Sequence, residues 1–286
     1  MKPSSKADHT WDNTGRDPGS FQHIKSRCFI NAPFDLLGTG LLDLFLRHRL
    51  QPEIGLEGGC LWDVEEKEFA ALAETLGKAG LRCTLHAPFF DLSPGALDPK
   101  IREVSREKLR RAFQLTGVFA PRSIVCHLGY EDNKHLGKFS TWFDNALHTW
   151  ETLLTIAMKN GTRVMFENTY EKSPAVHRKL FEKLDCSHLG FCLDTGHLQA
   201  FARAPWQPWM DELGPWLGQL HLHDNNTGGD DHLAIGRGSF DFQGLFDHLK
   251  ASNRAPIITL EPHTEEGLWQ SLAAIEELGL FTGLAA

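Results

Sequence analysis

Six stretches of the chain each end an apolar run on a residue that can bind a metal ion: LHAP at His86, CHLG at His127, FENT at Glu167, LDTGH at Asp194, HLHD at His221 and LEPH at Glu261. Glu167, Asp194, His221 and Glu261 lie in four consecutive runs and combine carboxylates with imidazole. Such a mixed set suits Zn²⁺, Mn²⁺ or Co²⁺, whereas ligands that are all oxygen favour Mg²⁺ or Ca²⁺. A further five residues, His86, His127, His197, Asp230 and His232, could widen the site. His197 follows Asp194 by one short turn in DTGH, and Asp230 and His232 form D-x-H in the glycine-flanked loop GGDDHLAIGRG. For these five, direct ligation competes with a supporting or substrate-contacting role.

Side chains so far apart in sequence need a scaffold that makes them converge, and strand parity supplies one. Residues two apart in a strand share a face. In TLH, VCH, MFE, CLD and TLE the ligand shares its face with Thr84, Val125, Met165, Cys192 and Thr259, while Leu85, Cys126, Phe166, Leu193 and Leu260 face the other way. A strand that is apolar behind and carries a ligand in front, at its C-terminal end, belongs to a barrel clothed in helices.

Eight strand-like runs fall at about residues 26 to 34, 52 to 59, 82 to 88, 123 to 130, 163 to 170, 189 to 197, 217 to 225 and 256 to 263. Segments of helical period separate them at 64 to 79, 99 to 120, 139 to 160, 173 to 184, 242 to 252 and near 266 to 280. This alternation predicts an α/β fold, a (β/α)8 TIM barrel in one domain over residues 23–286. Residues 1–22 are polar and aperiodic and read as a flexible tail. Asp98 and Pro99 read as an N-cap and first helical position, and glycines 80, 161 and 190 as helix stops. The stretch RAPWQPWMDELGPW, 203 to 216, has three prolines and three tryptophans and suits a loop or lid better than a regular helix. Trp206, Trp209 and Trp216 would serve that loop or pack on the barrel rim.

With 41% hydrophobic and 23% charged residues, the chain has the composition of a globular protein. No apolar run approaches the roughly 18 residues of a membrane span, and no secretory h-region follows the start, so a cytoplasmic location is expected. Six cysteines lie far apart without a CxxC pair and read as reduced core residues. The net charge of −8 speaks against a globally basic nucleic-acid surface. Lys100, Arg102, Arg106, Lys108, Arg110 and Arg111 crowd one predicted helix, as a solvated face or as phosphate contacts.

Taken together, LHAPFF, CHLG, FENTYE, CLDTGH, HLHDN, DDHLAIGRG and ITLEPH resemble the motifs of the xylose isomerase-like barrel superfamily. That superfamily holds sugar isomerases and epimerases beside endonuclease IV, an apurinic/apyrimidinic endonuclease. Similarity to the epimerases implies one divalent metal on Glu167, Asp194, His221 and Glu261. Similarity to endonuclease IV implies nine ligands and three zinc ions. Glu167 would then bridge two ions, with His86 and His127 on the first and Asp194, His221 and Glu261 on the second, while His197, Asp230 and His232 would hold the third. Two positions depart from the nuclease pattern: His223 stands where an Asn is expected, and Arg237 where an acidic or neutral residue is expected. Arg237 could seat a phosphate or carboxylate, or be a rim charge.

The preferred reading is a metal-dependent isomerase or epimerase, with Zn or Mn, acting on a small sugar or sugar-phosphate-like substrate. Glu167 and Glu261 would move the proton, His197 would position the substrate, and Arg237, His223 and Trp206 would contact it. The alternative is a three-zinc endonuclease with DNA as its partner, disfavoured because the chain is acidic and its strand-to-helix loops are mostly short. A third option is a metal-binding barrel without catalysis.

Overall fold

The computed structural model describes residues 17–285. Eight parallel strands are present: β1 (Phe29–Pro33), β2 (Gln51–Gly55), β3 (Thr84–His86), β4 (Ser123–His127), β5 (Arg163–Glu167), β6 (Leu189–Asp194), β7 (Leu217–Leu222) and β8 (Ile257–Leu260). They pair in sequence order and close into a barrel where β8 meets β1. Seven of the predicted runs contain their strand, and β2 begins one residue before its run, at Gln51. The strands are shorter than the runs because pairing stops at or near the ligand positions, as at His86, His127, Glu167 and Asp194.

Parity is realised as expected. Leu85, Cys126, Phe166, Leu193 and Leu260 point outward into the large core shared with the helices. Val125, Met165 and Cys192 form a separate small cluster on the opposite, inward parity. Met165 fits there because the two strands beyond β5 present glycine: a Cβ at Gly190 would lie 2.5 Å from the Met165 sulfur, and one at Gly218 only 2.8 Å from it. Gly190 is therefore a barrel-interior position within β6 and not the helix stop expected from sequence. The preceding helix, Ala175–Leu184, ends instead at Asp185, whose φ is +36°.

The other predicted helices are present as Glu66–Lys78, Pro99–Gln114, Phe139–Lys159, Phe242–Ala251 and Glu265–Glu277. Asp98 caps the second of these by accepting from the N–H groups of Lys100 and Ile101, with Pro99 following it. Gly80 and Gly161, at φ of +67° and +68°, follow the first and third as left-handed stops. The helix Leu42–His48 and the single-turn helices Cys60–Asp63 and Asp132–His135 fall outside the predicted segments; glycines 38 and 40 precede the first of these and obscure its period.

The tryptophan-rich stretch is a second correction, because it contains a helix, Gln207–Leu213, with Pro208 in its first turn. Propensity misled here: proline is unfavourable inside a helix but suited to its start. Trp209 stacks on Phe191 with ring centroids 6.0 Å apart, and Trp216 lies against Phe181. These residues pack on the barrel wall.

Of the expected tail, residues 1–16 lie outside the described residues. Residues 17–22 form turns that Lys25 holds through the Pro18 carbonyl, leading into a short helix, Gln22–Lys25. In the basic helix Arg102, Arg106 and Arg111 are engaged with Ala96, Thr149 and Leu61 respectively, so half of its cations serve helix packing. All six cysteines are free thiols, five of them buried. Among the described residues no helix is long and apolar enough to cross a membrane.

Phe166 is fully buried and meets Trp150 edge-on at 4.7 Å. Phe166→Ala should therefore cost about 3–5 kcal/mol of unfolding free energy, measured by denaturant titration, with little change in metal content per folded chain.

Candidate metal centre

Two residues before their candidate ligands, β4 to β6 carry the inward cluster Val125, Met165 and Cys192, whereas β3, β7 and β8 carry Thr84, Gln219 and Thr259. These polar residues gather round Glu53 of β2, which is fully buried. Its Oε2 accepts from Thr84 at 2.7 Å, Gln219 at 2.7 Å and Thr259 at 3.1 Å, and Gln219 accepts in turn from Ser123 at 2.6 Å. Its Oε1 lies 2.9 Å from His221 Nε2. The opposite ring nitrogen, Nδ1, faces Glu261 Oε1 at 3.0 Å, Glu167 Oε1 at 3.3 Å and Asp194 Oδ2 at 3.9 Å.

The strand ends beside them are locked by side chains that pair with backbone. Asn168 both donates to the Asp194 carbonyl and accepts from its N–H, and His177 donates to the Glu167 carbonyl. The Asp194 carboxylate accepts from His197 N–H at 2.6 Å, which makes DTGH a capped turn and brings His197 onto the rim. On the other flank, His86 and His127 direct Nε2 at Glu167 Oε2 from 3.2 and 2.9 Å.

Asp230 and His232 reach the site on a loop that HLHDN itself folds. Asp224 accepts from the N–H groups of Gly236, Gly238 and Phe240, while Asn225 Oδ1 accepts from those of Asp231 and His232. Gly238 is needed because a Cβ there would lie 2.3 Å from the Asn225 carbonyl. The loop sets Asp230 Oδ2 at 3.4 Å from Nε2 of both His197 and His232.

The imidazoles are turned as they would be to hold a metal ion. His86, His197 and His232 each place Nδ1 about a hydrogen bond from a backbone carbonyl, of Ala87, Asn168 and Glu261, leaving Nε2 toward the carboxylates. Fixing one ring nitrogen so that the other is presented is the usual support of a metal-bound histidine. His221 Nδ1 is buried without a hydrogen bond although two carboxylate oxygens stand within 3.3 Å. Two compact groups, His86–Glu167–His221 and Glu53–His221–Glu261, place one ligand atom per residue within 4.8 Å of the others. The donor set therefore fits a divalent cation with mixed nitrogen and oxygen ligands.

Charge tells the same story. Burial alone would lower the His86 imidazole, but the hydrogen bond and charge of Glu167 outweigh it and hold it at about 9. Burial is likewise overcome at His232, which reaches about 9 through Asp230 and Glu261, and at His197 and His221, both raised well above the ordinary value by negative neighbours. Burial would raise Glu167 and Glu261, yet the facing imidazoles, His221 foremost, hold both below the ordinary range. At His127 burial wins and the pKa falls. In the absence of a cation, protons on the histidines compensate the buried carboxylates.

Nine expected positions, His86, His127, Glu167, Asp194, His197, His221, Asp230, His232 and Glu261, thus gather at one end of the barrel. Three expected substrate contacts do not. Trp206 lines a different cleft with Arg203 and Phe240, Arg237 is exposed away from the cavity, and His223 is buried against Asp194. The reading from sequence passed over Glu53, and also Asn31, Glu57 and His263, which line the mouth. The signal for Glu53 was there in an acid at the inward parity of PEI, but its strand ends in glycine and not on a ligand.

A family model described as xylose isomerase-like TIM barrel matches residues 51–280. Among curated relatives, an uncharacterized protein of Methanocaldococcus jannaschii is 26% identical over 202 residues, 68% of this chain and 69% of that one. A protein of Mycobacterium ulcerans named probable endonuclease 4 is 26% identical over 220 residues, 72% of this chain and 82% of its own. Among solved structures, a D-tagatose 3-epimerase-like protein has a TM-score of 0.77 at 23% identity, over 87% of this chain and 96% of that one. The D-psicose 3-epimerase of Clostridium cellulolyticum H10 has a TM-score of 0.73 at 13% identity, over 91% and 100%. At these identities the structural likeness is one of fold.

Two outcomes are expected. Glu53→Gln should weaken Zn²⁺ or Mn²⁺ binding by about 10–100-fold, measured by competition with a chelating dye. For the metal-free protein, His86 and His232 lie at about 9 when folded against an ordinary 6.5, so their stabilisation is full below 6.5 and is lost as pH rises through 9. The depressed Glu167 and Glu261 stabilise above their ordinary 4.5 and lose that contribution as pH falls. Thermal unfolding of chelated protein should thus peak between pH 4.5 and 6.5, and the stabilisation by added metal should grow from 6.5 to 9 as those protons leave.

Proposed function

Since the chain belongs to the xylose isomerase-like TIM barrel family, its chemistry is decided by the contents of the barrel mouth, and we propose that it is a metal-dependent isomerase or epimerase of a small, unphosphorylated sugar. The observation that carries this reading is the cavity over the metal centre. It measures about 430 Å³ and combines Glu167, Glu261 and His197 with an apolar wall of Phe89, Phe90, Tyr170 and Phe201. Among the described residues lining it there is no lysine or arginine. Aromatic faces accept the C–H faces of a sugar, while carboxylates and imidazoles bind its hydroxyls, and a size of a few hundred Å³ suits a monosaccharide. A phosphate or a DNA backbone would find no lysine or arginine there.

The residues that would hold the metal are Glu167, Asp194, His221 and Glu261. When bound, it supplies Lewis acidity that polarises the substrate carbonyl. Glu167 and Glu261 approach His221 Nδ1 from β5 and from the end of β8, strands three apart, and would flank a bound substrate. One takes the proton from the carbon beside the carbonyl; the other returns a proton to the opposite face, inverting that carbon. Asn31, which donates to Glu261 Oε1 at 3.5 Å, favours its ionised form, and the ionised form is the one that accepts a proton. His197, held by Asp194 and Asn168, orients a hydroxyl.

Phosphodiester cleavage is a second reading, favoured by the convergence of all nine residues and by relatives named probable endonuclease 4. The acidic net charge and the lack of a lysine or arginine among the described residues lining the cavity weigh against it.

Incubation with ketohexoses and ketopentoses in D₂O with Mn²⁺ or Zn²⁺ separates the two. Metal-dependent uptake of deuterium beside the carbonyl is expected, and Glu261→Gln should slow it by about 100-fold or more at equal metal content. Incision of abasic-site DNA without any exchange into sugars would overturn the proposal.

A further inference from the structure

A second cavity opens beside the one over the metal centre. It measures about 490 Å³ and lies between the loops that follow β3 and β4 and the start of the helix Pro99–Gln114. Phe89, Phe90, His127, Thr169 and Tyr170 line both cavities, so the two meet along one wall. Phe89 stands in that wall, stacked on His127 with ring centroids 4.2 Å apart and against Phe90 at 4.3 Å. The two loops can approach each other around the cavity because residue 129 is glycine. Its φ is +69°, and a Cβ there would lie 3.0 Å from Pro94 Cδ.

The lining is unusual for a surface open to water. Among the described residues eight large apolar side chains are exposed, and four of them, Phe90, Leu97, Ile101 and Tyr170, line this cavity. Phe90 is the extreme case at 64%. Leu97 and Ile101 are held where the chain enters its helix by the Asp98 cap between them. Buried Pro94, Ala96 and Leu109 continue the apolar lining. Polar groups of the lining are mostly spent on partners of their own. Asp98 accepts from the N–H groups of Lys100 and Ile101, Lys134 donates to Glu131, His135 Nδ1 accepts from the Glu131 N–H, and Thr169 donates to Glu171. The Lys134 charge is thereby matched by Glu131. Exposed apolar side chains gathered in one concavity, with few polar groups left to bond, favour an apolar ligand over a second sugar or a phosphate.

We propose that this cavity is a second binding subsite, and that the sugar turned over at the metal centre carries an apolar substituent, aryl or alkyl, at the end remote from its carbonyl. The carbonyl end has to lie by Glu167 and Glu261, so the far end of the sugar is the part that can pass Phe89 and Phe90 and reach Leu97 and Ile101. A ring or alkyl chain laid there removes apolar surface from water on both partners, and the Phe90 ring offers it a face. The inference rests on the sugar reading of the inner cavity, and binding measured apart from turnover separates the two.

In the full chain loaded with Zn²⁺, benzyl alcohol should shift the methyl resonances of Leu97 and Ile101. By calorimetry, 6-O-benzyl-D-fructose should bind at least about 10-fold more tightly than 6-O-methyl-D-fructose. Ile101→Lys, at an exposed position, should remove that preference while leaving the affinity for the methyl ether and the metal content unchanged; Leu97→Lys should do the same. A benzyl preference with no deuterium exchange into any ketose would overturn the function proposed above and leave the subsite standing. Equal affinity for the two ethers, no binding of either, or unshifted methyl resonances would overturn the subsite. So would an Ile101→Lys variant that turns a dimer into a monomer and keeps the benzyl preference, since the apolar face would then belong to a second copy of the chain.

Discussion

Four carboxylates, of Glu53, Glu167, Asp194 and Glu261, meet within one barrel end, and none is more than 6% exposed. Concentrating that much negative charge away from water is among the costliest arrangements a fold can make, and it persists only where positive charge and hydrogen bonds answer it. Here each carboxylate faces at least one imidazole, and Glu53 accepts three hydrogen bonds besides. The rest of the molecule follows from this constraint. The barrel has a polar layer where a continuous apolar filling would otherwise serve, the ends of β5 and β6 are clamped by Asn168, and the histidines have one nitrogen fixed so that the other can answer the charge.

The two faces of each strand divide the work. Outward residues such as Phe166 and Leu193 join the helices in the main core and supply the stability. Inward residues form an apolar cluster on β4 to β6 and a polar group around Glu53, both beneath the candidate ligands. Because Glu53 reaches His221 directly, the orientation of the central imidazole is set by a residue that the substrate never touches. The loop after β7 obeys the same logic at longer range. Asp224 and Asn225 spend their side chains on backbone N–H groups, so a stretch with two runs of glycine holds one shape and delivers Asp230 and His232 to the rim.

Chemistry in this family has to be argued from the site, since the barrel is common to relatives named for different reactions. The cavity walls of Phe89, Phe90, Tyr170 and Phe201 and the lack of a lysine or arginine among the described lining residues are features of this chain. They bear on what enters, whereas the ligands bear on what is done to it.

Strand period and ligand position were legible from residue types alone, because a side-chain alternation of two forces every inward residue of a strand to one face. That is why the eight strands, their outward core and the convergence of nine candidate ligands could be read along the chain. Other features depend on what lies across the barrel. Gly190 looked like a helix stop, but its neighbour in space is Met165 of the adjacent strand. The tryptophan-rich stretch looked like a lid, yet Trp209 finds Phe191 and becomes wall. Arg237 and Trp206 sit near ligands in sequence and point elsewhere, whereas Glu53, in a strand without a terminal ligand, lies beneath the centre. Residue types along the chain carry the barrel, its parity and the set of side chains that gather at its mouth, since these depend on local period. Only the tertiary structure decided which groups share protons, which face the cavity and how His223 is held, because distances between different strands are set by barrel closure and packing.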